Sequence, residues 1–346
     1  MKSTISMKMV LITVLFSTNF IASASAVTAK QQAAKGMQYA ELFPGLASLC
    51  DIDSPIRDLS KRKRANRSGK SKKSSGKNKT RSSIPATKVF DNLFFVGTGG
   101  VSAWVIKTSD GLILIDALNS NKQAKQYIEQ GLLNLGLNPK DIKYLLIGHE
   151  HGDHYGGQEY IVSNYQPRVV MGEVAWERME KRQLTLFSPR WGKQPIRDIA
   201  AKDGDVITLG ETEVQIYATP GHTPGTISFI FPVYDNGSKH MVSLWGGTGL
   251  NYGPDENRIL AYSEAAKRFG DIAKSQGVDI YMSNHPKRDG SAAWLKQLAN
   301  REVNEPHPFV AGKQNAVKAY DMLHHCTYAQ VLKIRADKAM NQEVKP

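Results

Sequence analysis

The chain has 346 residues, 41% of them hydrophobic and 22% charged, with a formal net charge of +13. That hydrophobic content supports one large core or two smaller ones and excludes a wholly disordered chain. The charge says little about the folded body, because residues 57–81 carry twelve Lys or Arg against one acid and the rest is near neutral.

At the N-terminus, Lys2 and Lys8 lead into an apolar run from Met9 to Phe16, and Ala24-Ser25-Ala26 fits a small-x-small cleavage site. Residues 1–26 are therefore predicted to be a signal peptide, with export to the periplasm or beyond. The run is too short to span a bilayer comfortably. Residues 27–56 form an N-terminal extension. Residues 57–83 are rich in Lys, Arg, Ser, Gly and Asn and nearly free of apolar side chains, so they are predicted to be a basic flexible linker. The basic density of residues 57–81 suits weak contact with an anionic membrane or polysaccharide. No aromatic residues are interleaved for base stacking, so no specific nucleic-acid partner is expected. In an oxidising compartment Cys50 and Cys326 are predicted to bridge, tying the extension to a C-terminal helix.

The catalytic unit is expected over residues 84–346, with the core beginning near Pro85. "KVFDNLFFVG", "VSAWVIK" and "LILID" read as strands, the last two joined by a turn at residues 109–111. Residues 121–135 suit a helix closed by Gly136 and Pro139. "KYLLIG" is a short apolar run, as expected of a strand buried on both faces. After it come a helix in "QEYIVSNY", a strand in "RVVMG" and a helix in "EVAWERMEKR". Two hairpins follow, "GDVITLG"/"TEVQIYATP" and "TISFIFPV"/"HMVSLWGG", the second turning at Asp235-Asn236-Gly237. Helices are predicted over 258–276, 290–301 and 314–340, with a strand at "DIYMS". The pattern implies an α/β fold in which two sheets pack face to face with helices outside.

"HEHGDH" sets His149, His151, Asp153 and His154 directly after the buried strand. Gly148 and Gly152 let the backbone bend there. His149 and His151, two apart in extended chain, share a face. Asp153 and His154 project from beyond the bend. Unpartnered polar groups in such a place are costly, so the cluster reads as ligands for two adjacent ions. Zinc accepts both imidazole and carboxylate without redox chemistry, and iron and manganese stay open as alternatives. His222 in "ATPGHTPG" and His285 in "YMSNHPKRDG" share the strand-end context and complete the set. His240, His307, His324 and His325 lack it and are expected to be structural or solvent-facing.

The motifs "HEHGDH", "GHTPG" and the late "NHP" make residues 84–300 resemble the metallo-β-lactamase superfamily. The resemblance implies the αββα four-layer sandwich, with metals held at strand ends between the sheets. Many hydrolases of that superfamily place a metal-bridging Asp at the end of the strand after "GHTPG". Here Gly246, Gly247 and Thr248 stand there. The pattern is similar to the third subclass of class B β-lactamases. That implies two zinc ions, one on His149, His151 and His222, the other on Asp153, His154 and His285. It also implies a zinc-dependent hydrolase that opens the amide bond of a β-lactam antibiotic with metal-activated water. Asp153 would anchor the second ion and orient the nucleophile or carry a proton. Thr248, where the subclass usually has Ser, would bind the substrate carboxylate or else cap a turn. Residues 182–200, with Phe187 and Trp191, are long and irregular enough to form a lid. The alternatives are another metallo-hydrolase on the same fold (lactonase, thioesterase or phosphodiesterase) and an anionic-surface binder acting through the basic stretch.

Overall fold

The computed structural model describes residues 27–59, 84–184, 186–302 and 304–343. The predicted signal peptide and most of the basic stretch, 60–83, lie outside the described residues. Among those described, no helix is long and apolar enough to cross a membrane.

Among the described residues, twelve strands form two sheets. The first runs in sequence order: β1 (Thr87–Lys88), β2 (Leu93–Phe95), β3 (Trp104–Thr108), β4 (Gly111–Ile115), β5 (Ile142–Leu146), β6 (Arg168–Gly172) and β7 (Ile199–Ala201). Its first half is antiparallel. From β4 onward it is parallel, each crossover supplied by a helix or loop. The second sheet contains β8 (Val206–Leu209), β9 (Thr212–Ala218), β10 (Ile227–Asp235), β11 (Ser238–Trp245) and β12 (Ile280–Ser283), in the order β12-β11-β10-β9-β8. Both predicted hairpins form, and the β10–β11 turn falls at Asn236-Gly237 with φ of 49° and 81°.

Side-chain alternation builds the layers. Trp104, Ile106, Ile113, Ile115, Leu146 and Val170 point between the sheets, where they meet Val214, Ile216, Phe229, Phe231, Val242 and Leu244. Their neighbours Val105, Leu114, Leu145 and Val169 point the other way, onto helical residues Ile128, Leu132, Ile161 and Trp176. On the far side Ile230, Trp245 and Tyr281 pack against Ile259, Tyr262 and Phe269 of the helix Glu256–Ser275 and Tyr320 of the helix Lys318–Glu343. The result is the αββα sandwich. Leu145 and Leu146 are both fully buried, as the apolar run in "KYLLIG" requires.

The core does not begin near Pro85. Phe43, Leu46, Leu49 and Ile52 of the N-terminal segment are buried against the C-terminal helical layer. They recur every three residues through the 3₁₀ turn Pro44–Cys50, a period that neither strand nor α-helix patterns detect. Cys50 and Cys326 are joined as a disulfide across 276 residues.

Candidate metal centre

The strand ends converge at one rim. β4 ends at Asp116, β5 leads into Gly148, β9 into His222, β11 into Gly246 and β12 into His285. The two sheets touch here: Ile227 N–H donates to the Gly148 carbonyl at 2.9 Å. A Cβ on Gly246 would stand 1.7 Å from the Ile227 carbonyl oxygen, so that position must lack a side chain.

The six predicted side chains meet there as two triads. His149, His151 and His222 form one, all buried, and Asp153, His154 and His285 form the other. His149 Nε2 lies 3.0 Å from His151 Nδ1, which lies 3.1 Å from His222 Nε2. The remaining ring nitrogens are tied outward. His149 Nδ1 donates to the Gly246 carbonyl at 2.7 Å, and His222 Nδ1 to the Gly249 carbonyl at 2.7 Å. These partners put the proton on Nδ1 and leave both Nε2 lone pairs facing inward. His151 Nδ1 can satisfy only one of them with a proton, so at least one Nε2 lone pair faces its neighbour with no proton directed at it. Three nitrogens on a tetrahedral zinc at about 2.0–2.1 Å would stand ~3.3 Å apart. The triad fits a cation and makes poor sense without one.

The second triad is built alike. His285 Nδ1 donates to the Gly100 carbonyl at 2.8 Å. His154 Nδ1 donates to Asp116 Oδ2 at 2.7 Å, and its buried Nε2 has no hydrogen-bond partner, 3.6 Å from Asp153 Oδ2. Asp153 and His154 sit on the single helical turn Gly152–Tyr155, which aims both side chains into the same space. Asp153 is 24% exposed and His285 is partly exposed, so this side opens to solvent while the first triad is sealed.

Electrostatics separate the two. Burial holds His149 and His222 well below the usual imidazole value, and pushes His151 down to about 3 against the opposing pull of Asp153. Burial would lower His154 too, but Asp116 and Asp153 outweigh it and the ring is raised. Burial would raise Asp153, yet His154, His285 and His151 hold it below the ordinary carboxylate value. Neutral imidazoles and an ionised carboxylate are the protonation states a metal needs.

Three neighbours went unsingled or undervalued in the sequence. Asp116 ends "LILID" in left-handed backbone, φ 61°, and its Oδ1 accepts from Gly148 N–H at 2.9 Å while Oδ2 holds His154. Its strand-end position, like that of the ligands, is the one local signal, and an acid ending a strand in solvent shares it. Glu150, between His149 and His151 in "HEHGDH", is buried. It accepts from Arg178 Nε at 3.0 Å and from the Thr223 hydroxyl, linking the "HEHGDH" and "GHTPG" loops. Arg258 donates to the Gly221 and His222 carbonyls and lies over the Tyr252 ring.

Thr248 is buried between Gly247, whose Cβ would touch His222, and Gly249, whose carbonyl supports that ring. Its hydroxyl has no partner among the described residues. Trp191 covers Gly152 and lies parallel to the His151 ring at 6.2 Å. Gly192 N–H, next to it, is tied to the Asn119 carbonyl. Phe187, by contrast, is 75% exposed. The other histidines stand apart from both triads. His240 pairs with Asp279, His307 with the Val89 carbonyl, His324 with Ser263 and His325 with Gln32.

Residues 96–235 match the family model for the metallo-beta-lactamase superfamily. BJP-1, a subclass B3 metallo-beta-lactamase of Bradyrhizobium japonicum, superposes with a TM-score of 0.55 at 26% identity, over 76% of this chain and 97% of that one. The chain contains a metallo-β-lactamase superfamily domain. Native FEZ-1, the metallo-beta-lactamase of Legionella gormanii, shares the fold with a TM-score of 0.56 at 22% identity, over 76% and 98% of the two chains. Curated relatives of the metallo-β-lactamase domain carry a different name. The hydroxyacylglutathione hydrolase of Idiomarina loihiensis is 30% identical over 131 residues, 37% of this chain and 42% of that one. Its counterpart in Maricaulis maris is 32% identical over 186 residues, 48% and 63% of the two. The chain thus spans less than two thirds of the length of these relatives. The fold is that of a metallo-hydrolase, and its two triads are compatible with a binuclear metal site.

Proposed function

We propose that the chain is a dizinc hydrolase that opens the amide bond of β-lactams. The observation that carries this reading is the composition of the rim. Two complete triads face each other, and the end of β11, where the thioesterase branch of the superfamily holds a bridging carboxylate, offers only Gly246, Gly247 and the hydroxyl of Thr248. Among the described residues neither triad includes a further acid.

His149, His151 and His222 would hold one zinc, and Asp153, His154 and His285 the other. Bound there, the pair would supply Lewis acidity and bring the pKa of water down towards ~7. The protein does the rest. The Gly246, Gly249 and Gly100 carbonyls and the Asp116 carboxylate fix the tautomers of His149, His222, His285 and His154, so that no proton blocks those four ligand nitrogens. Asp153, held ionised and partly open to solvent, can accept the proton of the attacking water and pass it to the leaving nitrogen. The unpartnered Thr248 hydroxyl is available to donate to a substrate carboxylate. Trp191 walls the first triad beside His151 and limits water there. The signal-like N-terminus supports action outside the cytoplasm.

The hydroxyacylglutathione hydrolase relatives favour a second reading, thioester hydrolysis at the same site. Purified, zinc-replete protein assayed against a penicillin, a carbapenem, a lactone and a thioester separates the two. Lactam turnover with little thioester turnover is expected. Rapid thioester or lactone turnover with no lactam turnover overturns the first reading. Replacing the Lys and Arg residues of 60–81 with Gln should leave hydrolysis intact and reduce any retention on anionic membranes, while sparing the Arg57 and Leu59 backbone contacts to the loop after Thr248.

A further inference from the structure

His285 is the ligand farthest along the chain, and its loop is held from three sides. Within the loop, Asp289 accepts from Ser283 N–H at 2.7 Å and from Ser291 N–H at 2.8 Å. On the side of the first sheet, Ser102 N–H donates to the Asn284 carbonyl at 3.0 Å, beside the Gly100 contact to His285 itself. The third side is covered by the N-terminal turn Pro44–Cys50.

That turn is fitted closely to the loop. A Cβ on Gly45 would lie 2.2 Å from the Lys287 carbonyl oxygen and 2.6 Å from that of Arg288. These are backbone atoms, which cannot swing aside as a flexible side chain would. Arg288 Nη1 donates back to the Gly45 carbonyl at 3.1 Å and to Ser48 Oγ at 2.8 Å. Arg288 N–H in turn donates to the His285 carbonyl at 2.8 Å, so the turn is two hydrogen bonds from the ligand's own backbone. Phe43 packs edge-on against Tyr281 of β12, the strand that feeds the loop, with centroids 5.4 Å apart. The turn is itself anchored at its far end. Cys50 is bonded to Cys326, and Gln330 donates to the Leu49 and Asp51 carbonyls at 3.1 and 2.8 Å.

We propose that Gly45, Ser48 and Arg288 are positioning residues for the second ligand triad, acting through the backbone of the His285 loop. The turn itself comes near the first triad at Gly249, 3.5 Å from Arg288 Nη2 when measured from an added Cβ, and the braced loop reaches it through Asn284, whose Nδ2 donates to the Gly246 carbonyl at 2.6 Å and lies 3.3 Å from His149 Nδ1. Loosening the brace therefore displaces a ligand of the second triad, His285, whereas all three ligands of the first are carried on other loops and feel it only through Asn284. The inference rests on the binuclear reading above.

The test uses the full chain, titrated with cobalt(II) against a competing chelator, with near-ultraviolet circular dichroism to monitor the fold. Wild type should take up two ions in distinguishable steps. Gly45→Ala should weaken the second step by about 10–100-fold, the loss typical of groups that orient a ligand, and leave the first unmoved. Ser48→Ala removes one hydrogen bond to Arg288 and should weaken the same step by about threefold to tenfold. A folded Gly45→Ala chain that binds both ions as wild type does, or loses both in parallel, overturns the proposal. If that variant does not fold, Ser48→Ala decides: a loss confined to the second step supports the brace, and unchanged affinities reject it. A wild-type chain that takes up a single ion overturns the site reading and the brace with it, and is seen before any variant is made.

Discussion

Replacing Asp116 with Asn should empty the second triad while sparing the first. The carboxylate serves two donors at once, Gly148 N–H at 2.9 Å and His154 Nδ1–H at 2.7 Å. An amide has one oxygen to offer. If that oxygen stays with Gly148, the amide NH2 faces His154, and the ring must accept there and carry its proton on Nε2. Nε2 is the buried atom left without a partner, the one turned towards Asp153. The substitution thus places a proton where an ion must bind. If the amide turns the other way, Gly148 N–H is left unsatisfied in a buried site, at a cost of ~1–3 kcal/mol in stability. The first orientation costs the ring an unfavourable tautomer or a lost charge-assisted bond. Partners of this kind are worth about 10–100-fold in metal affinity, or ~1.4–2.8 kcal/mol at ~1.4 per factor of ten.

The assay is stepwise chelator competition on zinc-loaded protein, with metal content measured after each equilibration. Asp116→Asn should release one equivalent at about 10–100-fold lower chelator than wild type, and the second at the wild-type concentration. Hydrolysis should fall with the first equivalent. An Asp116→Asn chain that holds both ions as tightly as wild type would show that the His154 tautomer is set by something else. Loss of both ions together would mean that Asp116 supports the rim as a whole through Gly148.

Three further outcomes follow from the same geometry. On acidification the second triad should lose its ion at higher pH than the first: protons compete for imidazole, His154 is raised by Asp116 and Asp153 against its burial, and His149, His151 and His222 are lowered by theirs. Metal content after dialysis across a pH series checks this, and simultaneous loss refutes it. Replacing Cys50 and Cys326 together with Ala removes a bridge closing 276 residues and should cost ~2–5 kcal/mol, read as a lower denaturant midpoint. An unchanged midpoint would assign the anchoring of the N-terminal segment to packing alone. Trp191→Ala should raise KM with little change in melting temperature, because the ring covers Gly152 and flanks His151 from a loop. Unchanged kinetics on every substrate tried would remove Trp191 from the site.

The ligands were legible because their chemistry is crowded into short motifs after apolar runs, and a strand end is a local event. "KYLLIG" and "DIYMS" show themselves as buried strands by composition, and His149, His151, Asp153, His154 and His285 follow directly. The sandwich was legible from short apolar runs bounded by turns: period-two alternation is clear in β9, while β3, β4 and much of β10 and β11 are buried at successive positions and show themselves by composition. What escaped depends on meetings between distant segments. Asp116 is 32 residues from Gly148 and 38 from His154, and nothing local distinguishes it from an acid that ends a strand in solvent.

The N-terminal segment escaped for a different reason, and its placement changes how the basic stretch should be regarded. Phe43, Leu46, Leu49 and Ile52 are too few and too oddly spaced to announce a core, yet they bury fully against the helix that carries Cys326. Leu59 N–H donates to the Asn251 carbonyl and Gly253 N–H to that of Arg57, which ties the chain to the loop that follows Thr248. The described chain resumes at Ile84, packed beside the first sheet. The described chain on either side of residues 60–83 therefore packs into one folded body. A protease cut inside residues 60–83 should leave the two pieces joined, held by buried apolar contacts and by the Cys50–Cys326 bond, and should leave both triads intact.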